Sequence, residues 1–74
     1  MTKLSEAQRG EQYRVISVDE GVSGRRLVEM GVYPGRTITL VRRAPFRDPI
    51  EYQVGECSLS MRACEAELVS IESV

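Results

Sequence analysis

Apolar side chains alternate with polar ones in three stretches of this chain and follow helical spacing in only one. In Thr37 to Arg43, Ile38 and Leu40 fall on one face and Thr37, Thr39 and Val41 on the other, the period of a half-buried strand. Ile50, Tyr52 and Val54 share a face of a second such run, and Cys57, Leu59 and Met61 are the inward set of a third, with Ser58 and Ser60 outward. Tyr13 to Val18 is rich in β-branched residues and reads as an earlier strand that Asp19-Glu20-Gly21 ends. Leu68 to Ile71 makes a last short one. The helical stretch is brief. Ser23 is expected to cap a helix through Met30, with Val22 meeting Leu27 as a hydrophobic staple. Leu27 and Met30 lie three apart on one face, and Arg25, Arg26 and Glu29 point to water. Two turns of helix cannot stand alone, so this one must lie on a sheet.

The connections are tight. Gly31 sits where a helix end wants a left-handed residue, and Val32 behind it can return to Leu27. Tyr33-Pro34-Gly35-Arg36 carries a type II signature, Pro34 presetting φ and Gly35 accepting the positive φ that follows. Ala44 to Pro49 is a stiff loop with prolines near both ends, and Val54-Gly55-Glu56-Cys57 is a two-residue hairpin. Leu4 to Ala7 and Arg62 to Glu67 each favour one helical turn. Five short strands so closely connected leave two exposed edges unless the sheet closes into a small barrel, with the helix over one end. The expected class is therefore mainly β, a five- to six-stranded barrel with one or two short helices.

The chain has 74 residues, enough for a single domain, 1–74. A domain of this size buries only about 60 % of its unfolded surface, which leaves little room for a deep substrate pocket. The formal net charge is −1, from 10 basic and 11 acidic side chains, so no overall field draws it to nucleic acid or anionic lipid. Locally the balance differs. Arg25, Arg26, Arg36, Arg42, Arg43 and Arg47 are opposed between residues 25 and 47 by Glu29 alone. A basic surface on a neutral protein points to an acidic protein partner more than to nucleic acid. Only Tyr33 and Phe46 are near enough to offer stacking for a single strand. Phe46, in its Pro-flanked loop, either folds back onto the barrel or anchors a partner.

No histidine is present, which removes the commonest general base and metal ligand. Cys57 and Cys64 match no metal knuckle and read as reduced, partly buried thiols without a base to activate them. The carboxylates form no recognised divalent-ion loop, so neither a catalytic residue nor a bound cofactor or metal is expected. The N-terminus lacks an apolar signal core and no run nears the ~20 apolar residues of a membrane span, so a cytoplasmic chain without membrane insertion is expected.

The run LVEMGVYPGRTITLVRRAPFRDPIEYQV resembles the core of the ferrous iron transport protein A (FeoA) family. Leu27, Met30, Gly31, Val32, Pro34 and Gly35 match its helix-to-strand step, and Ala44, Pro45, Asp48 and Pro49 its "APxxDP" loop. The resemblance covers nearly the whole chain. It implies an SH3-like β-barrel and a cytoplasmic accessory of FeoB, a membrane transporter with a GTP-binding domain. It implies no catalytic residue. The expected partner-binding face comprises Arg25, Arg26, Met30 and Tyr33 with Arg43, Phe46 and Arg47. Exchanging Arg43 and Arg47 for Glu is then expected to weaken binding and leave the thermal midpoint unchanged, as for exposed charges. Two alternatives are an isolated relative of the C-terminal domain of iron-dependent repressors, with a metal or partner contact through carboxylates such as Glu51, and a small nucleic-acid-binding barrel. Edge pairing between two barrels offers a route to a weak homodimer.

Overall fold

The alternating stretches become strands, joined by the tight turns their glycines and prolines predict. In chain order these are β1 (Thr2–Lys3), a 3-10 turn at Leu4–Glu6, β2 (Gln12–Val18), α1 (Val22–Glu29), β3 (Thr37–Arg43), β4 (Ile50–Val54), β5 (Cys57–Met61), α2 (Ala63–Ala66) and β6 (Val69–Ser73). The computed structural model describes residues 2–45 and 48–74. One sheet holds all six strands in the order β1-β6-β2-β3-β4-β5, every neighbour antiparallel. The sheet curls around a core that includes Val15, Ile38, Leu40, Ile50, Tyr52, Val54 and Ile71. β1 and β5 are its two edges, and they pair with no further strand among the described residues.

Two register shifts, between Val15 and Ser17 in β2 and between Leu40 and Arg42 in β3, insert an extra residue each. Bulges of this kind bend a strand and increase its twist, which lets one sheet wrap such a small core.

α1 ends as its sequence predicts. Gly31 takes φ 108, Val32 N–H donates to Leu27 O at 2.9 Å and Gly31 N–H to Val28 O at 3.0 Å. These are the two bonds of a Schellman motif, and Val32 and Leu27 are both buried beneath it. Its start differs from expectation. Gly21, not Ser23, is the N-cap; its φ of 132 and ψ of 178 are open only to glycine, and its carbonyl accepts from Arg25 N–H at 2.9 Å. Val22 is therefore the first helical residue and is 81 % exposed, so no staple forms.

Gly24 explains why the helix begins so early. A Cβ there would stand 1.7 Å from the carbonyl oxygen of Asp19 and 3.4 Å from Val18. α1 lies directly on the end of β2, and only a glycine lets the backbones approach so closely. Leu27, one turn on, then enters the core.

Alanine is the better helix former by about 1 kcal/mol, yet Gly24→Ala is expected to destabilise the protein by about 1–3 kcal/mol through overpacking. Urea unfolding measures this directly, and a gain in stability would contradict the close approach.

Candidate docking surface

The outer face of α1 is built from what the core does not take. With Gly24 and Leu27 turned inward, Val22, Arg25, Arg26 and Glu29 are exposed, and Met30 just beyond is 47 % exposed. Among the described residues the ion pairs are Arg14–Glu72 at 3.2 Å, Arg42–Glu51 at 2.9 Å and Arg62–Asp48 at 4.0 Å. Arg25 and Arg26 take part in none of these, so their charge is available to solvent or to a partner.

Tyr33 continues this surface past the Gly31 stop, but it is also fastened to the scaffold. Its hydroxyl accepts from Arg36 Nη1 at 2.7 Å, and the guanidinium lies 5.1 Å from its ring centroid, within cation–π range. Arg36 in turn crowds Gly55, where a Cβ would meet its Nη2 at 2.5 Å. The arginine thus ties the Pro34-Gly35 turn to the β4–β5 hairpin. Sequence reading grouped Arg36 with the basic cluster and missed this role.

Arg43 is the clearest departure from simple alternation. The extra residue at Val41 shifts the register so that Arg42 faces Glu51 and Arg43 faces buried Ile50. A one-residue slip turns every following side chain to the other face. Arg43 consequently reaches across the end of the barrel, its Nη2 donating to Ser5 O at 3.3 Å and Ala7 O at 3.2 Å. It clasps the 3-10 turn to the sheet, so its exchange is expected to cost stability, where the sequence alone suggested a neutral surface change.

The same end is tied by further polar contacts. Asp48 Oδ1 accepts from Ala63 N–H at 2.7 Å, linking the β3–β4 loop to the start of α2. Ser5 Oγ donates to Glu67 Oε2 at 2.6 Å, linking the 3-10 turn to the end of α2. Glu65 accepts from Arg62 N–H at 2.8 Å and so closes the first turn of α2. Phe46 and Arg47, expected to complete the partner face, lie outside the described residues.

Two shallow depressions lie on the described surface. One of ≈ 350 Å³ sits beside Arg42, Arg43 and Pro45, and another of ≈ 280 Å³ beside Asp19, Gly24 and Arg25. They share no residue, so α1 and the β3–β4 loop present separate surfaces rather than one continuous groove. Cys57 and Cys64 are both free and exposed, not partly buried. Cys57 stands at the hairpin tip of an edge strand, beyond the reach of the core. Among the described residues no three Cys, Asp or Glu side chains gather as metal ligands.

An antiparallel barrel of six short strands, with a charged helix laid outside it and only shallow depressions on the described surface, defines a small domain of the SH3-like class. The sequence profile of the FeoA domain matches residues 2–73, and the chain belongs to the FeoA family. It is 37 % identical over 73 residues to an Fe(2+) transport protein A/Fe(2+) transporter FeoB fusion protein of Porphyromonas gingivalis, covering 97 % of this chain and 9 % of that protein. Iron(II) transport protein A of Clostridium thermocellum has the same fold, with a TM-score of 0.92 at 35 % identity over 99 % of this chain and 46 % of that one. FeoA of Stenotrophomonas maltophilia, solved with zinc and described as an SH3 domain protein, gives a TM-score of 0.85 at 28 % identity over 97 % of this chain and 91 % of that one. This chain thus spans a small part of the fusion protein and about half of the Clostridium chain.

Two measurements test the clasp. Removing a charged donor from such contacts costs about 1–2 kcal/mol, and about 4–8 °C in midpoint accompanies each kcal/mol at this size. Arg43→Glu is therefore expected to lower the midpoint clearly in calorimetry, where Arg25→Glu leaves it in place. Beneath the clasp, burial pushes the Tyr52 phenol up from 10.0 to about 12, with the Arg43 guanidinium pulling it partly back. Between those values the unfolded chain has lost the proton that the folded chain keeps, so stability is complete below pH 10 and falls as pH rises toward 12. Tyr52→Phe is expected to flatten that decline in denaturation curves measured across the same window.

Proposed function

We propose that this chain serves Fe(2+) transport as a small cytoplasmic accessory of FeoB, docking on the transporter and promoting or regulating the movement of iron(II). The observation that carries this reading is the Porphyromonas gingivalis relative, in which a region 37 % identical to this chain is covalently joined to the transporter. Fusion places two modules at high effective concentration and suits partners that act on one another. No helix among the described residues is long and apolar enough to cross a membrane. Iron(II) is cargo in this reading, handled by the transporter and not held in a cage of this chain's side chains.

The proposed contact is made by Arg25, Arg26, Met30 and Tyr33 on and beside α1, with Arg43, Phe46 and Arg47 at the β3–β4 loop as its second part. Val22 and Met30 are exposed at the two ends of the stretch that carries Arg25 and Arg26, which form no ion pair among the described residues, and this mixture suits a partner surface that is acidic beside apolar atoms. The barrel behind the helix keeps that surface in one arrangement.

The test is a pull-down of FeoB from detergent-solubilised membranes, followed by titration at moderate salt. Arg25→Glu combined with Arg26→Glu is expected to weaken binding about tenfold or more while leaving the thermal midpoint in place. Unchanged binding by that variant would remove α1 from the interface. Failure of the unaltered chain to retain FeoB would remove the docking reading itself.

A further inference from the structure

The two edges of the sheet are not alike. β1 is two residues long and carries Lys3, both devices that blunt an edge. β5 is five residues, Cys57-Ser58-Leu59-Ser60-Met61, with no charge and no proline. Cys57, Ser58 and Ser60 are exposed and Leu59 is half-buried, so nothing among the described residues covers this edge.

The hairpin determines which backbone groups face outward. Across a two-residue loop Val54 and Cys57 form the hydrogen-bonded pair, so Tyr52–Leu59 and Ile50–Met61 are hydrogen-bonded too. Ser58 and Ser60 face Gln53 and Glu51 at the positions between. Their N–H and C=O groups point away from β4, toward the open side.

We propose that β5 pairs antiparallel with β5 of a second copy of this chain, centred on Leu59. In that register Ser58 of each copy faces Ser60 of the other, and all four outward groups of each edge are satisfied at once. Leu59 faces its own counterpart on the barrel side and Cys57 faces Met61. At the two ends, Glu56, in the hairpin turn of one copy just before β5, comes near Arg62 of the other, giving two symmetric opposite-charge pairs. Arg62 is extended at φ −79 and ψ 156, continuing the strand line, and its one ion-pair contact among the described residues, to Asp48, is a loose 4.0 Å. A shift of two residues in either direction leaves outward groups unpaired and separates Glu56 from Arg62. The edge is thus complementary to itself in charge and in hydrogen bonding in one register. The interface is small, which makes it a weak, concentration-dependent dimer. It does not depend on the transport reading.

Sedimentation equilibrium over micromolar to millimolar concentration, with cross-linking, tests the proposal. Leu59→Cys in a Cys57→Ser/Cys64→Ser background puts two thiols on directly opposed residues about 4.5 Å apart at Cα, and mild oxidation is expected to link them quickly. Cys57, kept alone by Cys64→Ser, would be about 13 Å from its counterpart and is expected to stay unlinked. Ser60→Pro removes an outward N–H without touching the β4 ladder and is expected to yield a folded monomer, checked by circular dichroism. Glu56→Arg or Arg62→Glu alone should weaken association about tenfold, and the two together should restore it. A chain that stays monomeric at millimolar concentration, or links through Cys57 as fast as through Leu59→Cys, overturns the pairing. Failure of the double reversal to restore association overturns the register.

Discussion

The structure depends on one corner, where the chain leaves α1 and enters β3 beside the middle of β2. Gly35 N–H donates to Val15 O at 2.8 Å, and Val15 N–H donates to Arg36 O at 2.8 Å. These two bonds set Gly35 and Arg36 together opposite Val15, a bulge with Gly35 at φ 95 that closes the end of the β2–β3 ladder. They form only if α1 stops at Gly31 and the chain reverses at Pro34-Gly35. In a chain this short each element buries too little to persist alone, so the corner holds together helix, turn and two central strands. The motif that marks this family is, in this chain, the local grammar of that corner.

A second constraint works at the β3–β4 end. The bulge at Val41 is a backbone event, and its consequence is electrostatic. It sets Arg42 against Glu51 and aims the exposed Arg43 across the end of the barrel, toward the carbonyls of the 3-10 turn. Asp48, Ser5 and Glu67 bind the loop, the turn and α2 to one another around it. Polar groups near the rim of a small barrel must find partners as they lose water. Here they find each other, and the rim is stiffened where the sheet has no ladder between its edges.

Of the six clustered arginines of the sequence, the five that the structure describes therefore separate by role. Arg36 and Arg43 act as scaffold, Arg42 is paired across a strand, and Arg25 and Arg26 alone stand on α1 without an ion-pair partner among the described residues. Charge counted along the chain overstated the basic surface. The uncommitted part is a helix face that the close-fitting Gly24 holds against the barrel.

Local chemistry was legible in the sequence. The period of two located β3, β4 and β5, the Gly31 and Pro34-Gly35 signals located the stop and the turn, and the inward set of Ile38, Leu40, Ile50, Tyr52 and Val54 was read correctly. These features depend on neighbours within a few residues. Other features depend on residues far away in the chain. The helix began at Gly21 because Gly24 must meet Asp19, Cys57 was exposed because β5 is an edge, and Arg43 reaches the 3-10 turn because of a bulge against β4. Alternation reports which face a residue would occupy on an unbroken strand. Only the tertiary structure decides where the ladder slips, which edge stays open and which charges already have partners, because each of these is a contact between segments that the sequence leaves apart.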